Sequence, residues 1–274
     1  IQLPKKFTVG VQKSRQGVST YKIDQQTVAT VGELACILPT QLFNHDTFAI
    51  LDGSPQRRRS FMDWGVFHVE HHFLSVWRRY QKAIKQCNSL LRQPKLDVVQ
   101  VAVWHKEIAE TGSQIDDFRL AHIQALEKEL PEILSDLIDD QDSFSVDVGY
   151  KRGWDEDQQL IDQLQGSFER QHYQGHVHKG AHKADLKFLI DKGQAAKDML
   201  SRGQQKRLVI ALLLAQLVVL NHAGIKPILL VDDLPAELDA SGVACVLQKI
   251  NELGCQVFLT GIKEEYFPQN KRYW

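Results

Sequence analysis

The sequence predicts an α/β protein whose chain leaves its sheet to build an inserted helical lobe and then returns. Three observations carry that expectation. The apolar period changes from two to about 3.5 near Phe73 and back to two near Phe144. A run of four large apolar residues, Ile228–Val231, stops at two adjacent acids, Asp232 and Asp233. A long apolar helix opening at Ser201 stands directly before that run.

At the start of the chain Phe7, Val9 and Val11 alternate, Gln16-Gly17 supplies a turn, and Tyr21 and Ile23 alternate again, which predicts strands. The stretch "ILPTQLFNHDTF" is irregular, and "DGSPQRRRSFMDW" follows with Gly53 and Pro55 as breakers. From Phe73 the apolar residues Trp77, Tyr80, Ile84, Cys87 and Leu91 recur in steps of four and three, one stripe along a helix. Arg78, Arg79, Lys82 and Lys85 lie mostly off it, a face that is solvated by default and a candidate for phosphate contact. Trp104, Ile108, Ile115 and Phe118 mark a second helical stretch, continued by Leu126, Leu130, Ile133 and Leu137. Pro131 removes a helix hydrogen bond, so a kink or a new helix is expected there, giving a lobe of about three helices.

Strand pattern returns at Phe144, Val146, Val148 and Tyr150, and again at Leu186, Phe188 and Ile190, closed by Asp191-Lys192-Gly193. The Ser201 helix, the strand Ile228–Val231, a helix from about Ser241 to Leu253 and a strand Gln256–Thr260 complete the order. The expected division is 1–72 for the first part of a head domain, 73–140 for the helical lobe and 141–274 for the rest of the head.

With 33 basic and 34 acidic residues among 274, net charge near −1 gives no whole-molecule attraction to nucleic acid, so such binding needs local patches. The four cysteines show no CxxC spacing, which fits free thiols in a reducing cytosol and a cytoplasmic location. The apolar run Leu208–Leu220 is interrupted by Gln216 and is too short to span a bilayer, and no signal peptide is read. The chain begins Ile1-Gln2 without a Met, and is expected to be a fragment of a longer protein.

The chemistry concentrates near the C-terminal third. Four apolar residues predict a strand buried on both faces, and acids at its carboxyl end face the ligand crevice of an open parallel sheet. Asp232 is placed to hold Mg²⁺ and Asp233 to orient or activate water; a solvated acidic turn is the plainer alternative. Adjacent carboxylates repel, so the pair makes more sense beside a cation. In Ser201-Arg202-Gly203-Gln204 the Ser is a good N-cap and the Gly allows close approach to the backbone, so the helix N-terminus offers N–H groups to an anion. In isolation those residues are a weak signal, which a plain capped core helix explains more often than not. His172, His176, His178 and His182 crowd one segment, but no Cys or suitably spaced acid completes a zinc site, and surface or phosphate-facing roles are preferred. Arg57, Arg58 and Arg59 are candidate DNA-phosphate contacts, with a solvated face as the rival reading.

"LSRGQQKRL" followed by "LLVDDLPAELD" resembles the ABC-type signature, Walker B and D-loop of the RecF family of recombinational-repair ATPases. "DGSPQRRRSFMDWGVFH" (52–68), "YKRGWD" (150–155) and "GAHKADL" (180–186) resemble further segments of that family in the same order. The resemblance implies an ABC-type ATPase head, with a P-loop-like sheet and an inserted helical arm, that closes as an ATP-dependent homodimer on double-stranded DNA at single-strand gaps and junctions. It implies ATP and Mg²⁺ as cofactors, RecR and RecO as partners, slow hydrolysis, a place in DNA replication, repair and the SOS response, and no membrane. Carried over by position, Ser201, Gly203 and Gln204 serve the γ-phosphate bound by the opposite protomer. Asp232 serves Mg²⁺, Asp233 is the catalytic acid, Asp239 is the D-loop acid and Gln41 is the Q-loop residue. The pattern is departed from at His45, where Pro is common, in "GAHK", which replaces Gly-Pro-His-Arg, and after Thr260, where Gly261 and Ile262 leave no switch histidine. The Lys-bearing Gly-rich loop, Walker A, is absent from these residues, so this chain alone is expected neither to hold ATP tightly nor to turn it over. Two rivals remain: an SMC-like structural head, which calls for a much longer heptad insertion than 73–138, and a non-enzymatic DNA- or protein-binding fragment.

Overall fold

A computed structural model describes residues 7–13, 19–28, 30–138, 144–190 and 193–261. The expectations at Gln16-Gly17, Asp191-Lys192 and Ile262 lie outside these residues. Strands β1 (Val9–Lys13), β2 (Ser19–Ile23) and β3 (Gln26–Val28) form an antiparallel meander. Its tight turn uses Asp24 and Gln25, both at positive φ, the conformation that a two-residue hairpin loop demands.

Helix α1 (Val31–Ile37) leads into strand β4 (Thr40–Phe43), inside the stretch whose pattern looked irregular. Four residues are too few for alternation to show, and parallel pairing with a later strand makes them a strand. A 3₁₀ turn (His45–Phe48) and helix α2 (Ala49–Asp52) follow. Pro55 then begins α3 (Pro55–Val69) rather than breaking structure, because the first helical position has no N–H partner to lose.

The lobe is two long helices, not about three: α4 (Phe73–Leu91) and α5 (Val98–Leu137). All forty residues of α5 continue through Pro131, a span of about 60 Å at 1.5 Å per residue. Pro131 is exposed, so water can take the Glu127 carbonyl that loses its partner, while Leu130, Ile133 and Leu134 are buried around it. Tertiary burial of that stripe outweighs the local penalty. On α4 the stripe buries Phe73, Tyr80, Cys87 and Leu91, with Trp77 and Ile84 partly covered.

Beyond the lobe come β5 (Asp147–Lys151), α6 (Leu160–Gly166), α7 (Phe168–Gln174), a 3₁₀ turn (Ala181–Lys183), β6 (Asp185–Ile190), β7 (Gln194–Ala195) and α8 (Ala196–Met199). Strands β5, β6 and β7 form their own antiparallel sheet, and Phe144 and Val146 precede it without strand structure. His176 and His178 lie in an irregular segment, not on a strand.

The head core is α9 (Arg202–His222), buried on every side from Leu208 to Leu217, as expected of a helix that is apolar all round. It meets the length and apolarity of a membrane-crossing helix, but 72% of that window is buried against α3, α5, α11 (Ala240–Leu253) and their neighbours. Strand β8 (Ile228–Val231) lies between β4 and β9 (Gln256–Leu259) in a parallel sheet, and α10 (Leu234–Glu237) bridges β8 to α11. The expectation that β8 is buried on both faces is corrected. Leu42, Leu230 and Phe258 share one register row and are 45%, 36% and 48% exposed. Among the described residues, helices cover the other face only, where Phe43, Leu229 and Val231 are buried.

Replacing the proline at its exposed position tests this account of α5. Pro131→Ala is expected to raise the free energy of urea unfolding by about 1–3 kcal/mol; a loss of stability would show that the proline ring supports the helix in place.

Candidate functional site

The carboxyl end of β8 is built by hydrogen bonds from both neighbours. The Asp232 N–H donates to Phe43 O (2.8 Å), and the Thr260 N–H donates to Val231 O (2.9 Å). The Thr260 hydroxyl donates to Asp232 Oδ1 in a short bond and accepts from the Asp233 N–H at 3.2 Å. Asp233 stands at φ 48°, ψ 47°, a left-handed conformation that Asp tolerates better than most residues. It turns the chain directly into α10. Among the described residues no hydrogen bond or ion pair reaches Asp232 Oδ2 or the Asp233 carboxylate.

Ser201 caps α9. Its hydroxyl accepts from the Gln204 N–H (3.3 Å), and the Gln204 side chain accepts from the Ser201 N–H (2.9 Å), a capping box that satisfies two end groups reciprocally. Gln205 fastens the preceding turn by donating to the carbonyls of Lys197 and Leu200. Ser201, Arg202 and Gly203 are exposed, and a side chain added at Gly203 would meet nothing within 4 Å.

Two charged rungs join α9 to the segment after β8. Lys206 Nζ lies 2.8 Å from Glu237, which also takes His45 Nδ1 at 3.2 Å, and Arg207 lies 3.0 Å from Asp239. Burial works against the Glu237 charge, but Lys206 and His45 outweigh it and hold its carboxyl below the usual range. Asp239 is held low chiefly by the Gly242 N–H, which it accepts as the N-cap of α11. A cleft of about 330 Å³ opens between the 45–48 turn and the first turns of α9, lined by His45, Asp46, Arg202, Lys206 and Glu237.

The other expected site residues fall elsewhere. Gln41 is inside β4, paired with Leu229, and its side-chain amide donates to Leu42 O (3.1 Å). It sits before the strand end rather than in a loop; Asn44, which lines a small gap beside Asp232, is the polar residue at that end. Of the three arginines only Arg57 is exposed. Arg58 makes a two-pronged pair with Asp185 (2.7 and 3.1 Å) and reaches Gly53 O, while Arg59 donates to Ala184 O. Both are spent on internal contacts, because α3 packs against β6. Arg79 is likewise occupied by Glu107 and Glu110, and Arg78 by Thr30. Among the described residues no group of three or more His, Cys, Asp or Glu is placed to hold a metal. His176 and His178 instead meet edge-on, with ring centroids 4.3 Å apart.

Away from this site lies an interlock that the sequence reading missed. Arg119, fully buried on α5, pairs with Asp63 of α3 through two bonds (2.8 and 2.9 Å) and donates to Ala181 O (2.7 Å), with Trp77 of α4 beneath it. Burial opposes its charge; Asp63 outweighs burial and holds the guanidinium above its ordinary pKa. Tyr80 bonds His182 at 2.6 Å, and burial pushes the His182 imidazole down to about 4. Tyr150 and Arg152 both hold Asp116 (2.8 and 3.2 Å). Gly153, at φ 94°, accepts from the Gly180 N–H, a contact that a side chain there would block. Gly65 lets α3 approach α5 and α9, where a Cβ would collide with His122 and Gln216. The signal was present in the sequence: Arg119 and His122 continue the apolar stripe between Ile115 and Leu126.

The fold is that of a head of the RecF/RecN/SMC class, and the RecF/RecN/SMC N-terminal domain family matches residues 2–273. The RecF proteins of Pseudomonas fluorescens (strain Pf0-1) and Pseudomonas paraeruginosa (strain DSM 24068 / PA7), each a DNA replication and repair protein, are 43% and 44% identical. Those matches cover 94% and 96% of this chain, and 69% and 71% of the relatives. The solved structure of the recombination mediator protein RecF with ATP superposes with a TM-score of 0.81 at 22% identity, covering 94% of this chain and 71% of that one. The chain belongs to the RecF family, and its function is DNA replication and repair of the RecF kind.

The interlock predicts a large, specific loss of stability. Asp63→Asn leaves the Arg119 charge buried and unpaired, and urea unfolding is expected to show a loss of about 3–5 kcal/mol; a loss under about 1 kcal/mol would mean that the pair is solvated.

Proposed function

We propose that this chain contributes one half of an ATP site completed between two copies, and that the dimer works on double-stranded DNA at single-strand gaps. The observation that carries the reading is the open N-terminus of α9, where Ser201 and Gly203 stand exposed with room for a ligand against the backbone. The N–H groups of the first turn, at Arg202 and Gly203, and the partial positive charge of the helix end suit a phosphate. In this reading Ser201, Gly203 and Gln204 meet the γ-phosphate carried by the opposite copy, and Asp233 orients water at the end of β8.

The residues at the strand end fit Mg²⁺, which binds through one or two carboxylates and keeps several waters and phosphate oxygens. Asp232, exposed and with one oxygen unengaged, meets that need. When bound, the ion would offset negative charge on the phosphates. Asp239 works through Arg207 and the start of α11, so its part is to hold the turn after β8 against α9. Gln41 supports the sheet beneath the acids. Arg57, the exposed member of its triplet, is the arginine available to DNA phosphates, while Arg58 and Arg59 hold α3 to the 184–185 segment. The reading includes partners of the RecO and RecR type, and the RecFOR pathway named for a structural relative supports it. The cytoplasm is the compartment this work requires.

The experiment extends the chain at its N-terminus with a Gly-x-x-Gly-x-Gly-Lys-Ser/Thr segment and follows assembly by analytical ultracentrifugation. ATP is expected to shift monomer to dimer, Ser201→Arg to abolish the shift, and Asp233→Asn to prolong the dimer by slowing hydrolysis at least tenfold, roughly the effect of losing one water-positioning group. ATP-dependent dimers that persist in Ser201→Arg would overturn the shared-site reading.

A further inference from the structure

We propose that Thr260 is the positioning residue of the acidic pair, using one hydroxyl to aim Asp232 at a divalent cation and to hold the left-handed turn at Asp233. The inference rests on the reading of Asp232 as the cation ligand. A hydroxyl has one proton to give and lone pairs to receive, and Thr260 uses both on consecutive residues. It donates to Asp232 Oδ1 and accepts from the Asp233 N–H at 3.2 Å. Its own backbone is fixed to the sheet: the Thr260 N–H donates to Val231 O at 2.9 Å, and the Thr260 carbonyl also accepts from the Asp233 N–H at 3.3 Å. The side chain therefore projects from an anchored backbone at the end of β9, beside the strand that carries the acids.

The consequence for Asp232 is geometric. With Oδ1 engaged by Thr260, the carboxylate cannot spin freely, and Oδ2 is the oxygen with no partner among the described residues. Groups that orient a ligating carboxylate in this manner tune metal affinity without touching the metal. The consequence for Asp233 is conformational. A non-glycine residue at φ 48° carries backbone strain, and two acceptors on one threonine, hydroxyl and carbonyl, secure its N–H there. Thr260 is exposed, so removing its hydroxyl leaves no buried group unsatisfied and costs little packing. A purely structural hydrogen bond would predict no change in cation binding.

The test uses the 274-residue chain with Mn²⁺ alone as the probe, free ion being counted by electron paramagnetic resonance. Four proteins are compared: the parent, Thr260→Val, Thr260→Ser and Asp232→Asn, each checked for an unchanged thermal melt. Thr260→Val, which keeps the shape and deletes the hydroxyl, is expected to raise the Mn²⁺ Kd roughly tenfold and to speed amide exchange at Asp233. Thr260→Ser is expected to restore both. If Thr260→Val binds Mn²⁺ like the parent while Asp232→Asn does not bind, the role of Thr260 is overturned and the reading of Asp232 survives. If parent and Asp232→Asn bind alike, the cation reading fails and the inference falls with it.

Discussion

A buried guanidinium cannot be left alone. Arg119 sits at 0% exposure in the middle of a forty-residue helix, and its charge is tolerable only while Asp63 and the Ala181 carbonyl stay in reach. That requirement fixes three chain segments far apart in sequence: α3, α5 and the loop before β6. The surrounding contacts follow the same plan. Arg58 and Arg59 seize Asp185 and Ala184 from one side, and Tyr80 holds His182 from another. Segments 52–68, 150–155 and 180–186, which carry so much of the family resemblance, thus meet around one polar interlock between arm and head. Many of their polar groups are engaged with one another, Arg58 with Asp185, Arg59 with Ala184 and Gly153 with Gly180.

The candidate site depends on that arrangement at one remove. Helix α9 is buried through its middle against α3 and α5, so the interlock that positions those helices also positions the helix end at Ser201. The rungs Lys206–Glu237 and Arg207–Asp239 then carry the position across to the turn after β8. Each rung is partly exposed and worth little by itself, but they leave consecutive residues of α9 and reach the end of α10 and the N-cap of α11. The helix end and the segment after the acidic pair are thus linked by side chains, while the face of β8 that bears Leu230 stays partly exposed among the described residues.

Much of this was legible in the sequence where local pattern and tertiary demand agree. The stripe from Phe73 to Leu91 gave α4, and the run Ile228–Val231 with its acids gave β8 and the strand end, because a helix face or a strand core leaves a periodic trace. Legibility failed where a distant contact decided the outcome. Pro131 is a breaker by local rule, yet burial of Leu130, Ile133 and Leu134 carries α5 past it. Thr40–Phe43 is a strand only because β8 pairs with it. The arginines at 58 and 59 resemble a phosphate patch in one dimension, and their partners Asp185 and Ala184 lie more than a hundred residues away. Thr260 was noticed for the histidine that does not follow it, whereas its hydroxyl is what reaches both acids.

If Arg119 and its partners make arm and head one cooperative unit, the loop that they clamp must be as stable as the helices around it. Native-state hydrogen exchange measures this directly, through the amides of Lys183 and Ala184, which are bonded to Gly180 and Ala181, compared with those in the middle of α5 and α9. The account predicts that all exchange with the same free energy and the same urea dependence, through global unfolding alone. Exchange of Lys183 and Ala184 at a free energy several kcal/mol lower, while α5 and α9 stay protected, would show that the loop opens by itself and that the interlock does not govern the fold.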